Sequence, residues 1–240
     1  MSNQTKATNY KEIAKQARLK VLDLIFKAQT SHIGSNFSAI DIMAVLFEKA
    51  DPSKDEVILS AGWKAAAWYY FLWKKGIITE DELNSFCQPN SPFIGLVEPQ
   101  DRWGLRCAGG SMGFGFPFAV GFALAKKMKG EEGKVYCLMS DGELQCGTTH
   151  ESTLIATQHK LDNLLVIVDG NEFQAMGKID EILKIPESMK ANEIDGHNYK
   201  EIENALLEYG SIYAHTVKGK GVSFMENNNE WHYRNIDKNS

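Results

Sequence analysis

The stretch KVYCLMSDGELQCG, residues 134–147, decides the fold of this 240-residue chain. Its first half is a short apolar run, typical of a buried strand, and the following TTHESTLIATQHK is typical of a helix. An acid–glycine pair at 141–142 therefore stands where the strand ends. A second such pair, at 169–170, closes the next apolar run, NLLVIVD. The pattern places a carboxylate and a glycine at the ends of two consecutive strands.

Three apolar runs, KVYCLM, NLLVIVD and GSIYAHTV, follow one another with helical segments between them. Such runs of Val, Ile and Leu indicate parallel strands that are covered on both faces. Upstream, EVILS at 56–60 predicts a further short strand, and the apolar spacing of residues 10–30 predicts a helix. Ser38 is interpreted as the N-cap of a helix over AIDIMAVLFEKA. We therefore expect an α/β fold, a parallel sheet with helices on both faces.

The chain shows no internal repeat and no linker rich in Pro, Gly or Ser, so residues 1–240 are expected to form one domain. From about residue 227 the sequence becomes strongly polar, which predicts a loose C-terminal tail. The charged segment KKMKGEEGK is interpreted as a solvated turn between a helix and a strand rather than as a binding patch.

Composition excludes several classes of function. The net charge of −5 gives no basic footprint for nucleic acid. No apolar run approaches the roughly 18 residues of a membrane span, and the first residues lack the apolar core of a signal peptide. The four cysteines show no CxxC pair, which is typical of free thiols in a reducing compartment. We expect a cytoplasmic protein that does not bind membranes.

Asp141 and Asn171 are the candidate ligands of a metal ion. The chain runs from one strand end through a helix and a second strand to the next strand end, so both residues reach the same edge of the sheet. Carboxylate and amide oxygens suit Mg²⁺ or Ca²⁺. Gly142 permits close approach of a ligand, and the N–H groups of the following helix favour an anion. These features suggest a metal-bridged diphosphate, although acid–glycine pairs are also common in turns without a ligand.

Four motifs, in order along the chain, resemble those of the transketolase family. SDGELQCGTTHE followed by HKLDNLLVIVDGNEFQAMG is similar to its thiamine-diphosphate signature, which ends at an asparagine about thirty residues later. SHIGSNFSAIDIMAVLF resembles the family's N-terminal segment, GGSMGFGF its glycine loop, and HTVKGKGVSFMENNNEWH its strand and loop that end in a histidine. The resemblance extends from about residue 10 to residue 232 and implies the thiamine-diphosphate-binding fold of that family.

The resemblance assigns roles to individual positions. It implies that Mg²⁺ would be held by Asp141, Asn171 and the carbonyl of Phe173. The cofactor-binding residues would be Gly110, Met112, Asp141, Gly142, Glu143, Glu151, Asn171 and His232. In this set Gly142 would meet a phosphate, Gly110 and Met112 the pyrimidine ring, and Glu151 a network that links paired active sites. His32 and His232 match histidines near substrate and cofactor. Read without the family, His32 is equally a helix-terminus residue and His232 a tail residue.

The family also needs a pyrimidine-binding domain, whose glutamate activates the cofactor and which this sequence does not show. The resemblance therefore implies the N-terminal subunit of a split transketolase, whose partner in an α2β2 assembly would be a C-terminal transketolase subunit. The cofactors would be thiamine diphosphate and Mg²⁺, and the reaction would move a two-carbon ketol unit from a ketose to an aldehyde. The chain alone is expected to show no turnover.

Three positions depart from the family pattern. Trp63 and Leu96 stand where histidines are usual, and Cys146 stands where a glutamate is typical. The loss of two imidazoles predicts poor binding of an ordinary ketose phosphate, so we expect a modified, deoxy or nucleotide-linked sugar. Alternative hypotheses are a pyruvate-using enzyme similar to deoxyxylulose-phosphate synthase and a non-catalytic assembly subunit. Cys146 is interpreted as a small buried residue, with a thiolate stabilised by a helix N-terminus as the alternative.

Overall fold

The computed structural model describes residues 8–179, 189, 191–207 and 210–237. Its helices are α1 (Tyr10–Ala28), α2 (Ile33–Lys49), α3 (Ala65–Lys74), α4 (Glu80–Asn84), α5 (Gly115–Lys129), α6 (Gly147–Gln158) and α7 (Tyr199–Ala205). Its strands are β1 (Glu56–Leu59), β2 (Val135–Ser140), β3 (Leu164–Gly170), β4 (Phe173–Gln174), β5 (Gly177–Lys178), β6 (Ala191–Asp195) and β7 (Gly210–His215). No helix in these ranges is long and apolar enough to cross a membrane.

Five strands form one parallel sheet in the order β1-β2-β3-β7-β6. The short strands β4 and β5 pair with each other as an antiparallel hairpin just after β3. In the register of β2 and β3, Ser140 lies beside Asp169, so the two strands end level with each other. The parallel sheet expected from the three apolar runs is confirmed, and its carboxyl edge carries the candidate ligands.

The sheet is covered on both faces, as the sequence predicted. Along β2, Tyr136 and Leu138 belong to one hydrophobic core, whereas Cys137 and Met139 belong to the other. This alternation follows from the two-residue period of a strand. The first core is closed by α1, α2, α3 and α7, and the second by α5 with the adjoining part of α6.

Helix α2 differs from the prediction. It begins at Ile33 rather than after Ser38, and its first turn follows His32, which has the left-handed φ of 69°. Ser38 is fully buried within the helix, and its hydroxyl lies 2.6 Å from Oδ2 of Asp169. The N-cap interpretation of Ser38 is therefore wrong, because this hydroxyl bonds to a carboxylate on β3 instead of to a free N–H of its own helix.

The prediction of a loose C-terminal tail is wrong for the described residues after 226. A short 3₁₀ helix, Asn229–His232, is capped by the Asn228 side chain. Trp231 and Ile236 are buried, and the Gln29 side-chain amide donates a hydrogen bond to the Ile236 carbonyl. Two apolar side chains in a polar segment suffice to hold this end of the chain against α1 and α2.

Candidate active site

A cavity of about 200 Å³ opens at the carboxyl edge of the sheet, where β2 and β3 end. Eight of the residues selected from the sequence line it: His32, Gly110, Met112, Asp141, Gly142, Asn171, Phe173 and His232. The other two, Glu143 and Glu151, do not line it. The fold therefore gathers most of the expected site residues from four separate segments of the chain.

Asp141 and Asn171 are held against the same short loop. Oδ2 of Asp141 accepts a hydrogen bond from the backbone N–H of Glu172 at 2.6 Å. Oδ1 of Asn171 accepts one from the backbone N–H of Phe173 at 3.1 Å. Because Glu172 follows Asn171 directly and precedes Phe173, the carboxylate, the amide and the Phe173 backbone lie close together at the cavity.

The Asp141 carboxylate is buried without a cation in contact. Its side chain accepts hydrogen bonds only from backbone N–H groups of the described residues, those of Gly142 and Glu172. Burial first, and then the negative charge of Asp169, raise the pKa of Asp141 to about 7. A bound cation would favour the ionised form and offset the cost of this buried charge.

The residues present fit a hard divalent cation. Asp141 and Asn171 are each 3% exposed and offer a carboxylate and an amide oxygen to the cavity that Phe173 also lines. Among the described residues, no group of three or more His, Cys, Asp or Glu side chains could hold a metal. A cation here would need oxygens from its other ligands, which suits Mg²⁺ because it keeps waters and substrate phosphates.

The turn after β2 is not the expected helix start. Residues Asp141–Gln145 form a 3₁₀ helix, and α6 begins only at Gly147. The expectation that N–H groups of the following helix meet an anion at Gly142 is therefore wrong. The cause is a capping box in which Ser140 and Glu143 close the tight turn. Gly142 still approaches the cavity closely, since a Cβ there would lie 3.2 Å from Cε of Met112.

Glu143 fastens the loops around the cavity instead of facing it. Its Oε1 accepts hydrogen bonds from the Ser60 hydroxyl at 2.5 Å and from the Gly113 N–H at 3.1 Å. Its Oε2 accepts one from the Ser140 N–H at 2.9 Å. Burial raises the pKa of Glu143. The side chain thus ties the glycine loop to the ends of β1 and β2.

The two histidines face each other across the cavity. Their ring centroids are 5.3 Å apart, and the His32 N–H donates to the carbonyl of His232. The buried Lys218 ammonium lies 2.7 Å from Nδ1 of His232. Burial and the Lys218 charge lower the pKa of both imidazoles to about 4. Both rings are therefore neutral at pH 7.

Lys64 and Asp169 form a fully buried ion pair, 2.5 Å between Nζ and Oδ2, that sequence reasoning missed. Asp169 also accepts hydrogen bonds from Ser38, Thr216 and the side-chain amide of Asn171. These partners come from segments far apart in the chain. The acid–glycine pair that ends NLLVIVD was the available signal, because a carboxylate after a fully apolar strand needs a partner.

Trp63 and Leu96, the positions that lack the family's histidines, line the same cavity as His32 and His232. Cys146 is half-buried just before α6, and burial raises the pKa of its thiol, which argues against the thiolate interpretation. Glu151 is exposed on α6, and its role in linking paired sites stays a prediction.

Comparison with known proteins now defines the class. A model described as "Transketolase, thiamine diphosphate binding domain" matches residues 9–214. The chain is thus a thiamine-diphosphate-binding α/β domain, as fold and site indicated. It belongs to the transketolase family, which confirms the resemblance inferred from its motifs.

Several relatives share this identity. One of the two chains of the apulose-4-phosphate transketolase of Actinobacillus succinogenes is 31% identical over 94% of this chain and 92% of its own length. A 6-deoxy-6-sulfo-D-fructose transketolase subunit of a Clostridium species is 30% identical over 87% and 85%. The crystal structure of Campylobacter jejuni transketolase superimposes with a TM-score of 0.87 at 30% identity, covering 96% of this chain and 41% of that one. The chain thus spans about two fifths of this transketolase and nearly all of the subunit relatives.

Proposed function

We propose that this chain is the diphosphate-binding subunit of a two-subunit, thiamine-diphosphate-dependent transketolase. The enzyme would move a two-carbon ketol unit from a ketose to an aldehyde acceptor. The observation that carries the proposal is the buried Asp141 carboxylate, which lies beside Asn171 at a cavity and has no cation in contact. Similarity to proteins named as transketolase subunits supports the two-chain organisation.

The residues of this chain would hold and orient the cofactor. Asp141, Asn171 and the Phe173 carbonyl would bind Mg²⁺, and Gly142 would let a diphosphate oxygen approach the backbone. Met112, beside Gly142, would lie against the pyrimidine together with Gly110. When bound, thiamine diphosphate supplies a nucleophilic carbon that can accept and release a ketol unit.

His232 would serve as a hydrogen-bond donor to a substrate oxygen. The Lys218 ammonium can only donate, so Nδ1 of His232 is its acceptor and the imidazole proton is assigned to Nε2. A neutral ring in this tautomer keeps one N–H for the cavity, where it can stabilise developing negative charge on a carbonyl oxygen. The pKa of about 4 keeps the ring in this state throughout the neutral range.

The substrate would be an unusual sugar. Trp63 and Leu96 replace two hydrogen-bonding groups at the cavity with an indole and an isobutyl group. Relatives of similar length are named for apulose 4-phosphate and 6-deoxy-6-sulfo-D-fructose, neither of which is an ordinary ketose phosphate. A sugar with a branched, deoxy or substituted carbon skeleton would present less polar surface to these side chains.

The partner subunit would carry the pyrimidine-binding domain and would cover an apolar surface on α5 and α6. Leu154 and Ile155 are 65% and 45% exposed on α6, and Phe114 is 56% exposed just before α5. Exposed apolar side chains grouped on two packed helices are typical of a protein interface. Two copies of each chain would form the assembly.

The test is ketol transfer by the purified chain alone and after co-expression with the C-terminal subunit encoded beside it. We expect turnover only in the two-chain sample, with kcat/KM at least about tenfold higher for a modified ketose than for xylulose 5-phosphate. Turnover by this chain alone would refute the two-subunit proposal. Carbon dioxide release from pyruvate would replace ketol transfer by a decarboxylating reaction.

Association can be tested separately with a matched pair of variants. Leu154→Asp should weaken binding to the partner subunit at least tenfold, whereas Leu207→Asp should not. Leu207 is 71% exposed just after α7, which packs on the opposite face of the sheet. Equal binding by both variants in sedimentation or calorimetric titrations would remove α6 from the proposed interface.

A further inference from the structure

The buried pair of Lys64 and Asp169 lies directly behind the proposed magnesium ligands. Both side chains are fully buried, and neither lines the cavity. Such a pair is costly to bury and is weak evidence of a stabilising role. Its value must therefore lie in what it does to its neighbours, and Asn171 is the neighbour that faces the cavity.

The Asp169 carboxylate decides which end of the Asn171 amide faces the cavity. Nδ2 of Asn171 lies 3.3 Å from Oδ2 of Asp169 and 3.3 Å from the Ser38 hydroxyl oxygen. An ionised carboxylate accepts hydrogen bonds and cannot donate them, so it binds the NH₂ end and repels the amide oxygen. The oxygen is consequently turned toward the Phe173 N–H and the cavity.

The Lys64 ammonium keeps that carboxylate ionised and fixed in place. Nζ of Lys64 also donates to the Ser35 carbonyl, so the cation is held between α2 and β3. Thr216 binds the other oxygen, Oδ1, and leaves the contact with Asn171 untouched. The carboxylate is thereby fixed on both sides, with Oδ2 directed at the Asn171 amide.

We propose that Lys64 and Asp169 are positioning residues that orient the Asn171 amide so that its oxygen, and not its nitrogen, is offered to the metal. This inference rests on the proposed magnesium site and assigns it a built-in selection of amide orientation. A metal ligand presented with its nitrogen outward would be lost, because an amide NH₂ group does not coordinate Mg²⁺.

The decisive variant replaces the ion pair by apolar residues, as Lys64→Met with Asp169→Val. Neutralising both members avoids an unpaired buried charge, and valine suits the end of a strand. Affinity for Mg²⁺ in the presence of thiamine diphosphate is measured by calorimetry on the full chain with its partner subunit. We expect it to fall about 10- to 100-fold, the usual range for residues that orient metal ligands. The matched control is Thr216→Val, which also removes a buried hydrogen bond to Asp169 but should stay within about threefold.

Asn171→Asp added to the double variant provides the rescue. A carboxylate presents oxygen whichever way it turns, so it no longer needs an orienting partner. We expect the triple variant to regain at least about tenfold in Mg²⁺ affinity relative to the double variant. A folded double variant with wild-type affinity, or a loss that Asn171→Asp does not reverse, would overturn the proposal in favour of a purely structural pair.

Folding of each variant is checked by circular dichroism. If the double variant does not fold, Lys64→Met with Asp169→Asn carries the test, since it preserves the shape at position 169 and frees its amide from the cation. At least a threefold loss is expected there, and no loss would again overturn the proposal. If the wild-type complex binds no Mg²⁺ with thiamine diphosphate, the proposed function itself fails, which distinguishes the two.

Discussion

Asp41 and Asp141 are equally buried carboxylates, each 3% exposed, yet burial has opposite outcomes for them. Asp41 accepts two hydrogen bonds from Arg18 and one each from His197 and Tyr199. These donors outweigh its desolvation and lower its pKa to about 2. Asp141 receives only backbone N–H groups, and its pKa rises to about 7.

The difference shows how a structural carboxylate can be told from one that awaits a ligand. A carboxylate offers about four acceptor positions. Asp41 has four donors, one of which is a guanidinium, and Asp169 likewise has four, one of which is an ammonium. Asp141 has two donors among the described residues and faces a cavity. The unfilled positions mark it as the group that takes a cation from outside the chain.

The largest expected effect breaks this comparison at Asp141. Asp141→Asn should weaken Mg²⁺-dependent binding of thiamine diphosphate by roughly 100-fold, about 3 kcal/mol, because the charged ligand is lost. Asp41→Asn is the control and should leave the affinity within about threefold. Calorimetric titration of the two-chain complex measures both. Equal losses in the two variants would mean that burial alone, and not the unfilled positions, decides function.

Stability should respond in the opposite sense. Asp41→Asn should lower the free energy of unfolding by about 2 kcal/mol at pH 7, since the native pKa of about 2 lies below the usual 3.8. This contribution is fully present above about pH 4 and is lost as the pH falls toward 2. Asp141→Asn should not lower the stability of the metal-free chain, because it removes an uncompensated buried charge.

Urea denaturation at pH 7 and at pH 3 tests both statements about stability. The wild type should lose more stability between these two pH values than Asp41→Asn, because only the wild type protonates this carboxyl group there. A variant with the same acid dependence as the wild type would show that the four donors do not lower the pKa. A marked destabilisation by Asp141→Asn would make Asp141 a structural residue like Asp41.

The opposite end of the cavity sharpens the comparison, because its departures from the family pattern concern substrate and not metal. Trp63→His with Leu96→His should raise kcat/KM for xylulose 5-phosphate about tenfold, roughly 1.4 kcal/mol, in the assembled enzyme. Mg²⁺ affinity should stay within about threefold, since neither side chain is among the proposed metal ligands. No gain in turnover would contradict the specificity explanation, and a change in metal affinity would show that the two ends are coupled.

The sequence predicts the sheet and its ligand-bearing edge better than it predicts the groups behind that edge. Apolar runs specify β2, β3 and β7 because a strand buried on both faces must be apolar throughout. Strand β6, ANEID, carries no such signal because it is a partly exposed edge strand. Lys64 could not be recognised, since its partner Asp169 is 105 positions away and a lysine in an apolar helix predicts exposure. Ser38 was misplaced for the same reason.

Glu143 gives the smallest expected effect and tests whether a missing cation is enough to mark a functional carboxylate. It is fully buried, its pKa is raised and it has no ion pair among the described residues, so it resembles Asp141 in charge. It differs in occupancy, because Ser60, Gly113 and Ser140 fill its acceptor positions. In Glu143→Gln, the NH₂ group must face one of these donors, which should cost about 1 kcal/mol of unfolding free energy. Mg²⁺ affinity should change less than about threefold, because unfilled acceptor positions, and not charge alone, define the ligand. A loss of metal binding as large as that of Asp141→Asn would show that Glu143 contacts the bound cofactor after all.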